Sequence, residues 1–344
     1  MKPLVSHSDP HLKSSAILLA GIWRVDQLQD QVLATAQNNK LPDPVRAAAL
    51  EATTQMRPRE SRDLLGAVAT GDDSLGLRAA AIQLLATIDM QAAAPHAADL
   101  LADRKLPPQD AAATLLAFLK RVGGASMLAS ALQSKSLDAE SARNLLRSLF
   151  STGRSDKVLF ETFNQALGSV AEPPPYSDDY VQQLVAAAAD HGARDHAARD
   201  RGERLFDALA CTSCHRISGK GGDLGPDLTA IGTTLSPDRI VEELLWPNRQ
   251  VKEGFSIVQA ITIEGKIVHG YQRVARESQQ SGDLVLEDLV TRQPTTIAKQ
   301  HIDELQIIGS SMPTGLTALL TESQLLDLIQ FLSELGRIDL SRRR

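Results

Sequence analysis

From about residue 5 to residue 168, apolar positions recur three and four apart in short runs, each opened by a polar residue or proline. That period predicts amphipathic helices. The run Asp43-Pro44-Val45-Arg46-Ala47-Ala48-Ala49-Leu50 returns loosely as Ser74-Leu75-Gly76-Leu77-Arg78-Ala79-Ala80-Ala81-Ile82. Weaker echoes open near Asp9, Pro108 and Asp138, so the starts at 9, 43, 73, 108 and 138 lie 30 to 35 residues apart. Such a period fits paired short helices stacked into an α-solenoid over residues 1–168. The Asp or Ser ahead of a run is placed to cap a helix, and proline falls at a tolerated first-turn position. Residues 169–178 then read Ser-Val-Ala-Glu-Pro-Pro-Pro-Tyr-Ser-Asp. Three prolines forbid a helix there, so residues 169–200 are expected to be a proline-rich linker with a connecting helix over about Asp179 to Asp190.

A helix opening near Asp200 carries Gly202 and Phe206, four apart and on one face. Glu322 to Leu335 carries a second apolar stripe in Leu325, Leu326, Ile329, Phe331 and Leu332. A further helix is expected from Pro237 to Leu245. From Phe255 to about residue 310 the period changes to two. Strands are expected at Phe255–Ile263, Ile267–Ala275, Leu284–Val290, Thr295–Ala298 and Glu304–Ile308, with Glu264-Gly265-Lys266 as a hairpin turn.

Composition changes little in this picture. At 344 residues, two or three domains are expected. Aromatics are 3% of the chain, which suits close-packed small-residue helices. The net charge of −6 gives no basic surface for a nucleic-acid partner. No apolar run is long enough for a transmembrane segment. The N-terminus lacks the charged start and small-residue cleavage site of a signal peptide.

The chemistry lies in Cys211-Thr212-Ser213-Cys214-His215, which holds both cysteines of the chain. C-x-x-C-H is the attachment signature of c-type haem. Two thiols at this spacing add to the two vinyl groups of one porphyrin, and the adjacent imidazole reaches the iron. A zinc site needs about four ligands and finds no second pair here. A thioredoxin-like dithiol needs a βαβ setting. The Pro226 carbonyl, in the glycine-rich stretch that follows, is placed to accept the other ring N–H of His215 and orient it. Leu228 and Ile231 are placed to line the haem face. Met312, in a loop before the last helix, is the candidate sixth ligand, with His301 or an open position as alternatives. His7, His11, His96, His191, His196 and His269 read as surface, capping or strand residues. Covalent haem attachment implies export to the periplasm or an equivalent compartment. The missing signal then implies prior cleavage, or that the chain is the C-terminal part of a longer protein.

The segment D-P-V-R-A-A-A resembles the inter-helix motif of HEAT repeats. G-x-x-L-F, C-x-x-C-H, G-G-D-x-G-P-D-L and M-P-x-G-L before an acidic C-terminal helix together resemble the haem-binding domain of Pirellula/Verrucomicrobium type, over about residues 201 to 337. The resemblance implies a mainly α protein in which the Gly202/Phe206 face packs against Glu322 to Leu335. It places a class I cytochrome c fold at 201–254 plus 311–337, with a small antiparallel β-barrel inserted at 255–310. It implies one covalent haem c, ligated by His215 and Met312. Proteins of that family join a β-propeller resembling sugar dehydrogenases, HEAT repeats and the cytochrome in one chain. A PQQ-type sugar or alcohol dehydrogenase domain is therefore the implied electron donor, and a downstream redox carrier the acceptor. No propeller is present here, so the chain is expected to carry electrons without being an enzyme. Two other classes remain: a haem enzyme or gas or redox sensor with an open sixth position, and a solenoid docking scaffold.

Overall fold

The computed structural model describes residues 2–135, 137–154, 156–168, 174–272, 282–289 and 291–337. It divides into two compact units, one of residues 1–148 with 161–166 and the other of 149–160 with 167–344.

In the first unit, helices alternate between two rows. Pro10–Ile22, Asp43–Met56, Leu75–Ile88 and Pro108–Leu119 pack in succession, and Pro58–Thr70, Met90–Leu101 and Gly124–Gln133 form the second row. The caps read in the sequence form at Asp9 and Ser74 but not at Asp43, which lies inside its own helix. Asp9 accepts hydrogen bonds from the His11 and Leu12 amides, Ser74 from Leu77 and Asp89 from Ala92. Pro44 and Pro108 sit in first turns. Alanines at 48, 49, 52, 79, 81, 93, 94, 97 and 98 are buried, so the helix axes approach closely. Leu50, Leu65, Leu77, Leu85 and Leu100 fill the seam, each contributing roughly 1.5–3 kcal/mol on burial. Arg46, itself buried, donates to the Ala36 carbonyl and pairs with Asp73, so it ties neighbouring repeats together.

The second unit is built on a helix crossing. Ala198–Ala208 packs on Glu322–Glu334, with Asp178–Arg194 and Pro237–Leu245 alongside. Gly202 lies against the Asp327 carbonyl and Phe331, where a Cβ would collide with backbone. Only glycine permits so close a crossing. Phe206 and Phe331 meet with ring centroids 5.7 Å apart. The last helix starts with a capping box, Thr321 accepting from the Gln324 amide while the Gln324 side chain accepts from the Thr321 amide. Beneath the crossing, buried Asp327 receives Arg201 at 2.6 and 2.8 Å and lies 2.8 Å from His191 Nε2. The expectation of a solvated His191 is therefore corrected: its ring closes a charged cluster under the main seam.

Two β-structures complete this unit. Strands β1 (Arg216–Ile217) and β2 (Lys220–Gly221) form a short hairpin after the cysteine motif. Strands β3 (Ser256–Thr262), β4 (Ile267–Gln272), β5 (Leu284–Asp288), β6 (Pro294–Ile297) and β7 (Ile302–Ser310) form an antiparallel sheet in the order β6-β5-β4-β3-β7. The expected ends at Ala275 and Val290 fall outside the described residues. The expected closed barrel is not formed. The turn at Lys299–His301 leads the chain away from β6, and the Ile263 amide bonds to the His301 carbonyl, so β7 starts beside the end of β3. The strands β6 and β7 thus end up on opposite edges, and an open sheet results. One face still buries Val258, Ala260, Val268, Leu284, Leu286 and Ile297. Leu305 and Ile307 pair with Ala260 and Val258 and continue that face onto the exposed edge, where Ile307 is 74% accessible.

Candidate functional site: a haem cavity

A cavity of about 550 Å³ opens in the second unit, within the roughly 300–1,000 Å³ common for cofactor sites. Cys211, Cys214, His215, Pro226 and Met312 all line it. Leu228 and Ile231 line it too, with Leu209, Leu244 and Leu332 contributing apolar wall.

The local chain explains the placement. The helix Ala198–Ala208 ends at Leu209, and Ala210 takes a left-handed conformation that turns the backbone into a 3-10 turn at Cys211–Ser213. The His215 amide donates to the Cys211 carbonyl at 2.9 Å, which brings the imidazole over the same turn as the thiols. The two sulfurs rest on different clusters: Cys211 packs on the helical core and Cys214 against Leu224, Ile257, Tyr271 and Leu289. Burial pushes the Cys211 thiol up to about 12, with Cys214 adding to the effect, and burial pushes Cys214 to about 11.

His215 Nδ1 lies 2.9 Å from the Pro226 carbonyl oxygen. A carbonyl only accepts, so Nδ1 carries the proton and Nε2 keeps its lone pair. Burial lowers the His215 pKa, and the Pro226 hydrogen bond opposes that shift without cancelling it. The ring is therefore neutral and oriented, the form a metal requires. Gly225 passes directly behind it, where a Cβ would stand 2.6 Å from Cε1 of the imidazole. G225A is therefore expected to displace the ring and lower haem incorporation several-fold, measured as haem absorbance per polypeptide. Unchanged incorporation would show that the ring has room to spare.

Met312 is half-buried and packs against the helical core, with its amide donating to Ser310 Oγ at 3.0 Å. His301 lies in the turn ahead of β7, is exposed, and does not line the cavity. His269 is buried in β4, its Nε2 2.6 Å from Gln259 Oε1, and burial pushes its pKa down to about 3. Sequence reasoning missed Phe150 and Phe255, which also line the cavity. Phe150 falls in the stretch read as repeats, and neither residue has a local motif to single it out.

The family model for cytochrome c matches residues 199–254. The chain carries a cytochrome c domain. No curated protein matches the chain. A cytochrome c domain implies covalently bound haem c and a role in electron transfer. The residues present fit that group: the cavity, the paired thiols and an imidazole with a free Nε2 meet at one place. The match takes in the helix that packs on Glu322–Glu334, the cysteine motif and the Pro226 loop, and stops before β3. Among the described residues of the cytochrome-containing chain, no helix is long and apolar enough to cross a membrane.

Proposed function

We propose that the second unit is a single-electron carrier whose haem would be held by thioethers at Cys211 and Cys214 and ligated by His215 Nε2 and Met312. The observation that carries this reading is the shared cavity, with the His215 ring fixed by Pro226 at one wall and Met312 lining the same space. When bound, the haem supplies the one-electron couple. The chain supplies ligand choice, burial and access, and a His/Met pair favours the reduced iron. His215 keeps one orientation because Pro226 holds its Nδ1 proton, and Leu209, Leu228 and Leu332 keep water from the ring face.

In this reading residues 201–254 and 311–337 are the cytochrome, 255–310 an insertion into it, and 1–168 a HEAT-like α-solenoid. The two-row stacking of helices supports the last assignment, and such an array presents a long docking surface. The electron donor is a dehydrogenase domain or partner and the acceptor a second redox carrier. Because haem is attached outside the cytoplasm, the protein works in an exported compartment.

The test is a visible spectrum of the matured, reduced protein with and without carbon monoxide. With Met312 bound, the reduced spectrum changes slowly or not at all on adding the gas, and M312A binds it at once. Rapid, complete binding by the unsubstituted protein overturns the Met312 assignment and favours an open-site sensor or enzyme.

A further inference from the structure

We propose that the Tyr271 hydroxyl, supplied by the inserted sheet, is a positioning group that clasps the two ligand-bearing loops of the cytochrome together and holds Met312 in place. This rests on the Met312 ligation proposed above.

Tyr271 is 1% exposed, among the most deeply buried large side chains of the chain. Its hydroxyl donates to the Leu224 carbonyl at 2.8 Å and lies 2.7 Å from Ser311 Oγ. A phenol has one proton, so with Leu224 taking it the Ser311 hydroxyl donates to the tyrosine oxygen. Each partner sits one or two residues from a site residue. Leu224 precedes Gly225 and Pro226, the segment that backs and orients His215. Ser311 immediately precedes Met312. One oxygen atom therefore links the histidine side of the cavity to the methionine side.

The clasp is rigid at its root. Within the sheet, β4 is hydrogen-bonded on both sides, and Tyr271 pairs with Ile257 of β3 and Glu287 of β5. The ring also meets Phe255 edge-on, with centroids 5.7 Å apart, and Phe255 itself lines the cavity. On the far side of the loop, the Ser310 amide donates to Asn248 Oδ1 at 2.7 Å, and the Phe160 ring lies over Gly315. Met312 is thus flanked by fixed points, and Tyr271 is the one that also fixes the histidine loop. A thioether on a loop binds iron only while the loop is held, so loosening one anchor raises the population with Met312 released.

The isosteric variant Y271F keeps the ring and its packing and removes only the hydroxyl. In the reduced holoprotein its carbon monoxide binding rate is expected to rise about tenfold, the factor that one lost buried hydrogen bond allows. The near-infrared methionine-to-iron charge-transfer band of the oxidised form is expected to weaken in parallel. S311A removes the methionine arm alone and should reproduce most of the effect. The double variant should add little to either, since both substitutions break one link. If the unsubstituted protein already binds the gas rapidly, the ligation itself is wrong. If it resists the gas and Y271F and S311A resist equally, even with lower melting temperatures, the tyrosine is only structural and the proposal fails. Should Y271F not fold, S311A decides the question alone.

Discussion

The C211A/C214A protein, expressed beside a haem-attachment system, is expected to run as a colourless band on a haem-stained denaturing gel. The same protein is expected to lose the cooperative melting of its second unit. The reason is packing as much as bonding. The cavity of about 550 Å³ is walled in part by Leu228 and Ile231, which are only half-buried, and each apolar side chain left facing water forfeits up to roughly 1.5–3 kcal/mol. Two such losses, with the missing contacts across an empty cavity, take a sizeable share of the stability of a domain, about 5–15 kcal/mol. The helices of the first unit have their own core in Leu50, Leu65, Leu77 and Leu100. Far-UV helical signal should therefore persist while the near-UV signal of Trp246 and the neighbouring tyrosines collapses. A coloured band, or an unchanged second transition, would contradict the haem-centred account of this unit.

The second large effect is expected at Asp327, 2% exposed and beneath the Gly202 crossing. Removing its charge in D327N leaves Arg201 facing a seam without its main counter-ion. Arg201 is 32% exposed and keeps Asp195 at 2.8 Å as a second partner, so the loss falls short of that for a fully buried pair and is expected to lower the melting temperature by a few degrees. The pH dependence has a definite sign. Burial alone would raise the Asp327 carboxyl, but hydrogen bonds from Arg201 and then His191 outweigh it, so the folded-state pKa lies below the ordinary value of 3.8. A depressed carboxylate stabilises in full above its unfolded pKa and loses that contribution as pH falls through the folded one. The stability gap between the unsubstituted protein and D327N should accordingly be wide at neutral pH and narrow below about pH 4. A gap that stays constant down to pH 2, in urea unfolding followed by Trp fluorescence, would assign the cluster no electrostatic role.

Local chemistry was readable where a spacing is imposed by it. Two thiols and an imidazole must fall within five residues to meet one porphyrin, and a carbonyl must follow within a short loop to reach the ring; Pro226 does so. That Gly202 and Phe206 share a helix face was readable from their spacing, whereas their partner, the last helix, came from the cytochrome c resemblance, and the structure shows the two faces in contact. The strands were visible through their alternation, but the closure of the sheet was not. Whether β6 meets β7 depends on where the Lys299–His301 turn sends the chain, and residue types do not encode that. The segment Leu149–Phe160 was read with the repeats because it follows the run that opens at Asp138, and the helix Ala139–Ser151 ends inside it. The structure groups it with the second unit instead, and Phe150 lines the cavity. Tyr271 was equally silent, since a lone tyrosine in a strand looks like any other core residue until its hydroxyl is seen between Leu224 and Ser311.

The order of residues along the chain also sets a timetable. Sulfur attacks as thiolate, and in the closed unit burial keeps both thiols protonated, near 12 for Cys211 and 11 for Cys214. The helix Glu322–Glu334 that completes the core comes at the far end of the sequence. A chain emerging from its N-terminus therefore displays the pentapeptide, solvated and reactive, well before the helix that buries it has been made. Haem attachment is therefore expected while the thiols are still solvated, before the last helix packs over them.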